Sequence, residues 1–140
     1  MHFAKAGATK EQRLIVNRMF LFFSERLTQM LRVAFVSAAI FALVMAILPQ
    51  PPRMPGDPSD KTLHILAFGV LATLGCLAFP RARLIILILG LAAFGAGIEL
   101  VQAIPMLHRD SQFVDLVADV VAVVLVALPL RWVQHRRQRS

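Results

Sequence analysis

One cysteine, Cys76, is all the thiol the chain has, which excludes an intramolecular disulfide and removes any thiolate-built metal site. It lies inside an apolar run, where the ordinary work of a cysteine is to be a small packing residue. There is no Gly-rich phosphate loop, no histidine pair at zinc spacing and no Gly-x-Ser-x-Gly elbow. Nor does any segment repeat another. Acidic residues are scarce, eight against fifteen lysines and arginines, and the formal net charge is +7.

What is present in excess is apolar. The 140 residues leave room for one domain, and 58% of them are hydrophobic, with a mean hydropathy of +0.70. A high positive charge and a high hydropathy conflict in a soluble domain. They are reconciled when apolar residues cross a membrane and basic ones stay in loops and tails. A nucleic-acid-binding domain would also be basic, but it could not keep four long apolar runs in water. The expected fold class is therefore an all-α integral membrane bundle of four transmembrane helices, preceded by a basic amphipathic N-terminal helix.

Residues 1–32 form the basic lead. From Glu11 onward it has an amphipathic pattern, with Arg18, Glu25, Gln29 and Arg32 on one side and Ile15, Met19, Phe22, Phe23, Leu27 and Met30 over the rest. Such a helix suits the cytoplasmic membrane interface, and it equally suits the solvated start of the first span. The lead is too long for the n-region of a secretory signal peptide. The four-span domain covers residues 33–130. Its first run is Val33 to Leu48, extended backward to about residue 31 and ended by Pro49, Pro51, Pro52, Pro55 and Pro58. Asp57 or Ser59 is placed to cap the second run, 62–79, which Pro80 closes. A tight turn through Arg81 and Arg83 leads into the third, 84–104, closed by Pro105, and the fourth occupies 112–130. Each run is close to the ~17–25 residues that cross a ~30 Å hydrocarbon core. Residues 131–140 are a basic tail.

Orientation follows from the cations. Lys5, Lys10, Arg13, Arg18, Arg26, Arg32, Arg81, Arg83 and the tail arginines 131, 136, 137 and 139 share one side, and only Arg53, Lys61 and Arg109 share the other. Twelve against three places both termini and the Arg81 turn in the cytoplasm, with Trp132 as an interfacial anchor.

Ionisable residues inside a span cost about 2.5–3.5 kcal/mol at the bilayer centre on insertion scales, so their positions carry information. Lys61 and His64 begin the second span, Glu99 and Gln102 end the third, Asp115 and Asp119 begin the fourth, and Arg109 lies in the connecting loop with Asp110. All are at the outer ends, and at ~1.5 Å per residue even Glu99 and Asp119 sit only about 6–9 Å deep. Spacings of three or four residues put each pair on one helix face. Gly95, one turn before Glu99, and Ala122, after Asp119, continue two of those faces with small residues that allow close approach. The expectation is a shared polar pocket, open outward, on three converging helices. A plainer reading has Lys61, Arg109 and His64 neutralising Glu99, Asp115 and Asp119 and so pinning the bundle.

These residues carry a family resemblance. Asp60-Lys61-x-x-His64-x-x-x-Phe68, Glu99-x-x-Gln102, Arg109-x-Ser111 and Asp115-x-x-Ala118-Asp119 together resemble the signature of VanZ-like membrane proteins, a family named for a protein associated with teicoplanin resistance. The resemblance covers about residues 59–128. The chain departs from it at Asp119, where many relatives carry Asn, and near Ala122, where they carry glycine. What the resemblance implies is a multi-pass protein of the bacterial cytoplasmic membrane concerned with the cell envelope, without a settled mechanism and without antibiotic resistance as a given.

Three functions compete. The first is binding of a lipid headgroup or glycolipid precursor, with Lys61 and Arg109 meeting an anionic group and Glu99 and Gln102 taking hydroxyls or amines. The second is a small enzyme on a lipid-linked substrate, with His64 as acid or base oriented by a carboxylate; no nucleophile with an evident partner is visible. The third is an accessory or transport subunit. Against transport, nothing ionisable continues along spans two to four toward the cytoplasm. Expected partners are membrane lipids, an envelope ligand, and a second membrane protein or another copy of the chain, with no nucleic acid. No cofactor is called for; the one donor set that would suit an ion is His64 with Glu99, Asp115 and Asp119.

Sided labelling checks the orientation. In a Cys76→Ser background, single cysteines at Asp57 and Asp110 are expected to react with an impermeant maleimide from outside, and one at Arg83 only after the membrane is opened. The reverse pattern would turn the polar layer toward the cytoplasm.

Overall fold

The computed structural model describes residues 10–48, 59–104 and 113–137. They form four helices, α1 (Lys10–Ile47), α2 (Asp60–Ala78), α3 (Leu84–Gln102) and α4 (Phe113–Arg137), with no strand among the described residues. All four are long and apolar enough to cross a membrane. The all-α bundle is as the sequence predicts.

Two helices outrun their expected bounds. The basic lead and the first span are one uninterrupted helix of 38 residues. No glycine or proline occurs between Lys10 and Ile47, so nothing breaks it. At ~1.5 Å per residue it is about 57 Å long, nearly twice a hydrocarbon core. Helix α4 likewise runs through Pro129 and beyond Arg131 to Arg137. Proline is tolerated inside a membrane helix where neighbours satisfy the freed carbonyl, and the basic last turn of His135, Arg136 and Arg137 suits the negative end of the helix dipole. Residues 131–137 of the basic tail are thus helical.

Helix α2 is the centre of the bundle. It packs most extensively against α4 and next against α1, while α3 lies chiefly on α4. Its inner face is Phe68, Leu71, Ala72 and Cys76, all essentially inaccessible, and Leu87, Leu91, Ile98, Val123 and Ala127 close the core around them. Small residues at Ala72, Cys76 and Ala127 let the backbones approach, which is how helices associate where no water drives them together. Cys76 is buried in that seam, in the packing role its surroundings dictate. Outside it, Leu66, Val70, Ile86, Leu89, Leu100 and Leu125 stand exposed. An apolar surface of that extent belongs in lipid.

Each end of the bundle is tied by side chains. At one end the Gln102 amide donates from Nε2 to the Ala46 carbonyl at 3.2 Å, joining α3 to α1. At the other, Arg32 Nε donates to the Ala78 carbonyl at 3.4 Å, and its guanidinium lies 5.5 Å from the Phe79 ring centre. Arg131 donates from Nη1 to Pro80 O at 2.6 Å and from Nη2 to Phe79 O at 2.8 Å, while Gln134 Nε2 donates to Cys76 O at 3.2 Å. The last carbonyls of α2 have no partner within their own helix. Here Arg32 of α1 and Gln134 of α4 supply donors to Ala78 O and Cys76 O, and Arg131 of α4 takes the two carbonyls that follow, at the end where a positive charge is also favoured.

Gly95 shows how closely α3 seats. A methyl group built there would lie 3.1 Å from Phe68 Cζ, 3.3 Å from Leu116 Cδ1 and 3.4 Å from Asp119 Oδ2, whereas one on Gly97 meets nothing within 4 Å. Gly95→Leu is expected to lower stability by about 1–3 kcal/mol, the usual cost of overpacking. Gly97→Leu should stay within about 0.5 kcal/mol of the parent, as surface changes do. Thermal unfolding in detergent micelles reads both.

Candidate functional site

Ser59 sets the first polar residues in place. Its backbone is extended, and its hydroxyl accepts from Thr62 N at 3.3 Å, so it is the N-cap of α2. The alternative cap, Asp57, lies outside the described residues. Starting the helix there places Lys61 and His64 on the side that faces α4. Lys61 remains on the surface, its side chain 45% exposed, with Nζ 3.9 Å from Asp115 Oδ1. That is an ion pair at a separation too long for a hydrogen bond, and Oδ1 of the buried Asp115 accordingly has no hydrogen bond among the described residues.

One turn deeper the arrangement closes. His64 Nδ1 stands 3.2 Å from Asp119 Oδ2; the histidine is 8% exposed and the aspartate 0%. With Asp119 ionised, Nδ1–H is the donor of this bond, and the contact holds the imidazole plane. Phe68, one turn on from His64, stacks parallel to the ring at 6.5 Å and forms an apolar floor, itself backed by Phe94 at 6.1 Å. Asp119 Oδ1 has no hydrogen bond among the described residues. An acid oxygen held in that condition inside an apolar bundle costs free energy until a donor or a proton reaches it.

Helix α3 completes the cluster. Glu99 and Gln102 are both buried, three residues apart on the face turned into the bundle. Gln102 also reaches α1 through Ala46, so four helices and not three meet at this end. The amide that was a candidate for ligand contact is engaged in holding α1. Three carboxyl groups (Glu99, Asp115 and Asp119) thus lie at the same end of the bundle as one lysine and one histidine. Arg109, the remaining predicted member, lies outside the described residues, as do Asp110 and Ser111.

Of the six described members, the structure pairs Lys61 with Asp115 and His64 with Asp119 and takes Gln102 to the α1 backbone. His64, Glu99, Gln102, Asp115 and Asp119 are all buried, and Lys61 alone is exposed. Among the described residues no three His, Cys, Asp or Glu side chains converge closely enough to hold a metal ion, so the donor set that sequence order offered is not assembled. What sequence reasoning missed lies at the opposite end. Arg131, Gln134 and Arg32 count in the sequence only as cations and polar residues near a span boundary, and nothing in their spacing announces that they bond to the end of α2. Compared with protein-family models, with curated proteins and with solved structures, the chain finds no match.

The His64–Asp119 bond is expected to behave as a coupled pair. His64→Leu leaves Asp119 buried without its donor and should cost about 3–5 kcal/mol, whereas His64→Leu with Asp119→Leu should recover most of that loss. Unfolding of the two single variants and the double variant closes the cycle. Additive losses would mean the two side chains do not act on each other.

Proposed function

We propose that this chain is a VanZ-like protein of a bacterial cytoplasmic membrane, with both termini in the cytoplasm, and that its outer polar cluster binds the headgroup of an envelope lipid or glycolipid precursor. The observation that carries the reading is the buried His64–Asp119 pair, with Asp119 Oδ1 lacking a hydrogen bond among the described residues, below the exposed Lys61. A purely structural pair would be satisfied by one donor for each acceptor. Here an acceptor is left over beneath a cation at the rim, an arrangement suited to a ligand with a phosphate and hydroxyl groups. Lys61 would meet the phosphate, and hydroxyls of a sugar or glycerol would donate to the acids.

The same pair also supports a second reading, a small enzyme on a lipid-linked substrate. A carboxylate holding Nδ1–H orients an imidazole to act as base or acid through its other nitrogen. The substrate would then have to supply its own nucleophile or be attacked by water, because no side-chain nucleophile stands beside His64 in the sequence pattern. An accessory role within an envelope complex draws on no particular contact and is the third reading.

Native mass spectrometry of the detergent-purified chain with a polyprenyl-phosphate-linked sugar tests binding. The wild type is expected to retain this probe in preference to a phosphatidylcholine of similar mass. Lys61→Gln should weaken retention by ~10-fold or more, the effect of one charge-assisted hydrogen bond at about 1.5–3 kcal/mol. Asp119→Asn should change it in the same direction. Equal retention of probe and phosphatidylcholine would overturn the binding reading, and release of the sugar on incubation would move the assignment to the enzyme.

A further inference from the structure

At the end of the bundle opposite the acids, a cleft of about 460 Å³ opens between α1 and the turn from α2 to α3. It is lined on α1 by Glu25, Gln29 and Arg32, and on the turn by Phe79, Pro80 and Arg81. Its depth in the membrane is set by neighbours. Arg131 bonds to Phe79 O and Pro80 O, which puts the turn level with Trp132, a 58% exposed residue with Arg136 3.9 Å over its ring. Tryptophan and arginine together mark the headgroup layer. The cleft is therefore at the height of lipid phosphates, on whichever side of the membrane this end faces.

The charges around it are separated rather than spent. Glu25 and Arg32 are seven residues apart, so they share one face of α1, about 10.5 Å apart along its axis. No ion pair joins Glu25 to Arg32 or to Arg81 among the described residues. Arg26, next to Glu25, is turned instead onto the Phe22 ring at 5.0 Å. Arg32 is anchored by its Nε bond to Ala78 O and by the Phe79 ring beneath its guanidinium, and its two Nη groups have no hydrogen bond among the described residues. The hydroxyls of Ser24 and Thr28 are already used, donating to Leu21 O and Ser24 O at 2.8 Å each. What remains to meet a ligand is the Arg32 and Arg81 guanidinium groups, the Gln29 amide and, further out along α1, the Glu25 carboxylate.

We propose that this cleft binds the headgroup of a phosphoethanolamine lipid, with Arg32 and Arg81 on the phosphate and Glu25 on the primary ammonium. The order along the membrane normal is the one such a lipid presents, phosphate nearer the hydrocarbon and amine further out. Guanidinium groups match phosphate oxygens by forked hydrogen bonds, and a carboxylate takes the ammonium hydrogens. A phosphoglycerol lipid would leave Glu25 facing an anion without a cation between them. A phosphocholine has a cation but no N–H to donate. Inward of Arg32 on the same helix, the exposed Val33 and Val36 offer the acyl chains a surface.

The test is native mass spectrometry of the full-length chain in detergent, titrated with phosphatidylethanolamine, phosphatidylglycerol and phosphatidylcholine of identical acyl chains. Wild type is expected to bind the ethanolamine lipid several-fold more tightly than either of the others. Arg81→Gln, at an exposed turn position that leaves the fold intact, should weaken it ~10-fold. Glu25→Gln should abolish the preference over phosphatidylcholine. Lys61→Gln, at the other end of the molecule, should leave the preference unchanged, which keeps this site separate from the outer one. Equal binding of ethanolamine and choline lipids, tighter binding of phosphatidylglycerol, or a preference surviving Glu25→Gln would each overturn the proposal.

Discussion

A polar group taken out of water must find its partner inside the protein, and in hydrocarbon the protein has nowhere else to look. The His64–Asp119 bond answers that demand for one oxygen of a fully buried aspartate, and it stands at the centre of the helix arrangement. It ties α2 to α4, the two helices in closest association. The parallel Phe68 ring fills the space below, and α3 can come alongside only because Gly95 has no side chain to meet that ring. One hydrogen bond thus specifies which faces of three helices turn inward. A bundle held by Leu and Val contacts alone would have several near-equal rotations available to each helix.

The same demand explains the ends. Helix α1 is bracketed by two side-chain bonds to backbone carbonyls, one given by its own Arg32 and one accepted by its Ala46. The fourteen-residue step from Arg32 to Ala46 spans about 21 Å, most of a hydrocarbon core. Beyond Arg32 the helix continues toward Lys10 with Ile15, Phe23 and Leu27 exposed and with charged residues interleaved. That mixture suits the boundary between lipid and water better than either phase. At the far end, Arg131 and Gln134 complete the last turn of α2 with donors from α4. Arg131 there is a hydrogen-bond partner of the turn that ends α2, not merely a charge.

The two ends differ in chemistry. One gathers acids around a single histidine within the apolar bundle, with a lysine at its rim; the other presents arginines around carbonyls at the membrane surface. For a polar cluster at the first, the sequence is a good guide. His64, Glu99, Asp115 and Asp119 are each out of place in an apolar run, and the strict alternation of up and down helices brings them to the same level. For the second the sequence is a poor guide, since an arginine just past a span is where arginines are expected in any membrane protein.

Four spans, their order and the level of the acids were determined by the sequence alone, because hydrophobic length and polar exceptions within it are local properties measured against a fixed thickness of hydrocarbon. The breakers at Pro49 and Pro80 and the cap at Ser59 are local as well. Helix bounds were legible only in part: α1 runs past its apolar stretch because no residue there opposes a helix, and α4 runs past its own in spite of Pro129. Tertiary structure alone decided which acid meets His64. Asp115 and Asp119 lie four residues apart on one face of α4, and only the rotation and height of α2 against it gives Asp119 the imidazole and leaves Asp115 to Lys61. It also decided that Gln102 serves the α1 backbone, since an amide reaches any carbonyl brought near it and the sequence does not say which helix will be there.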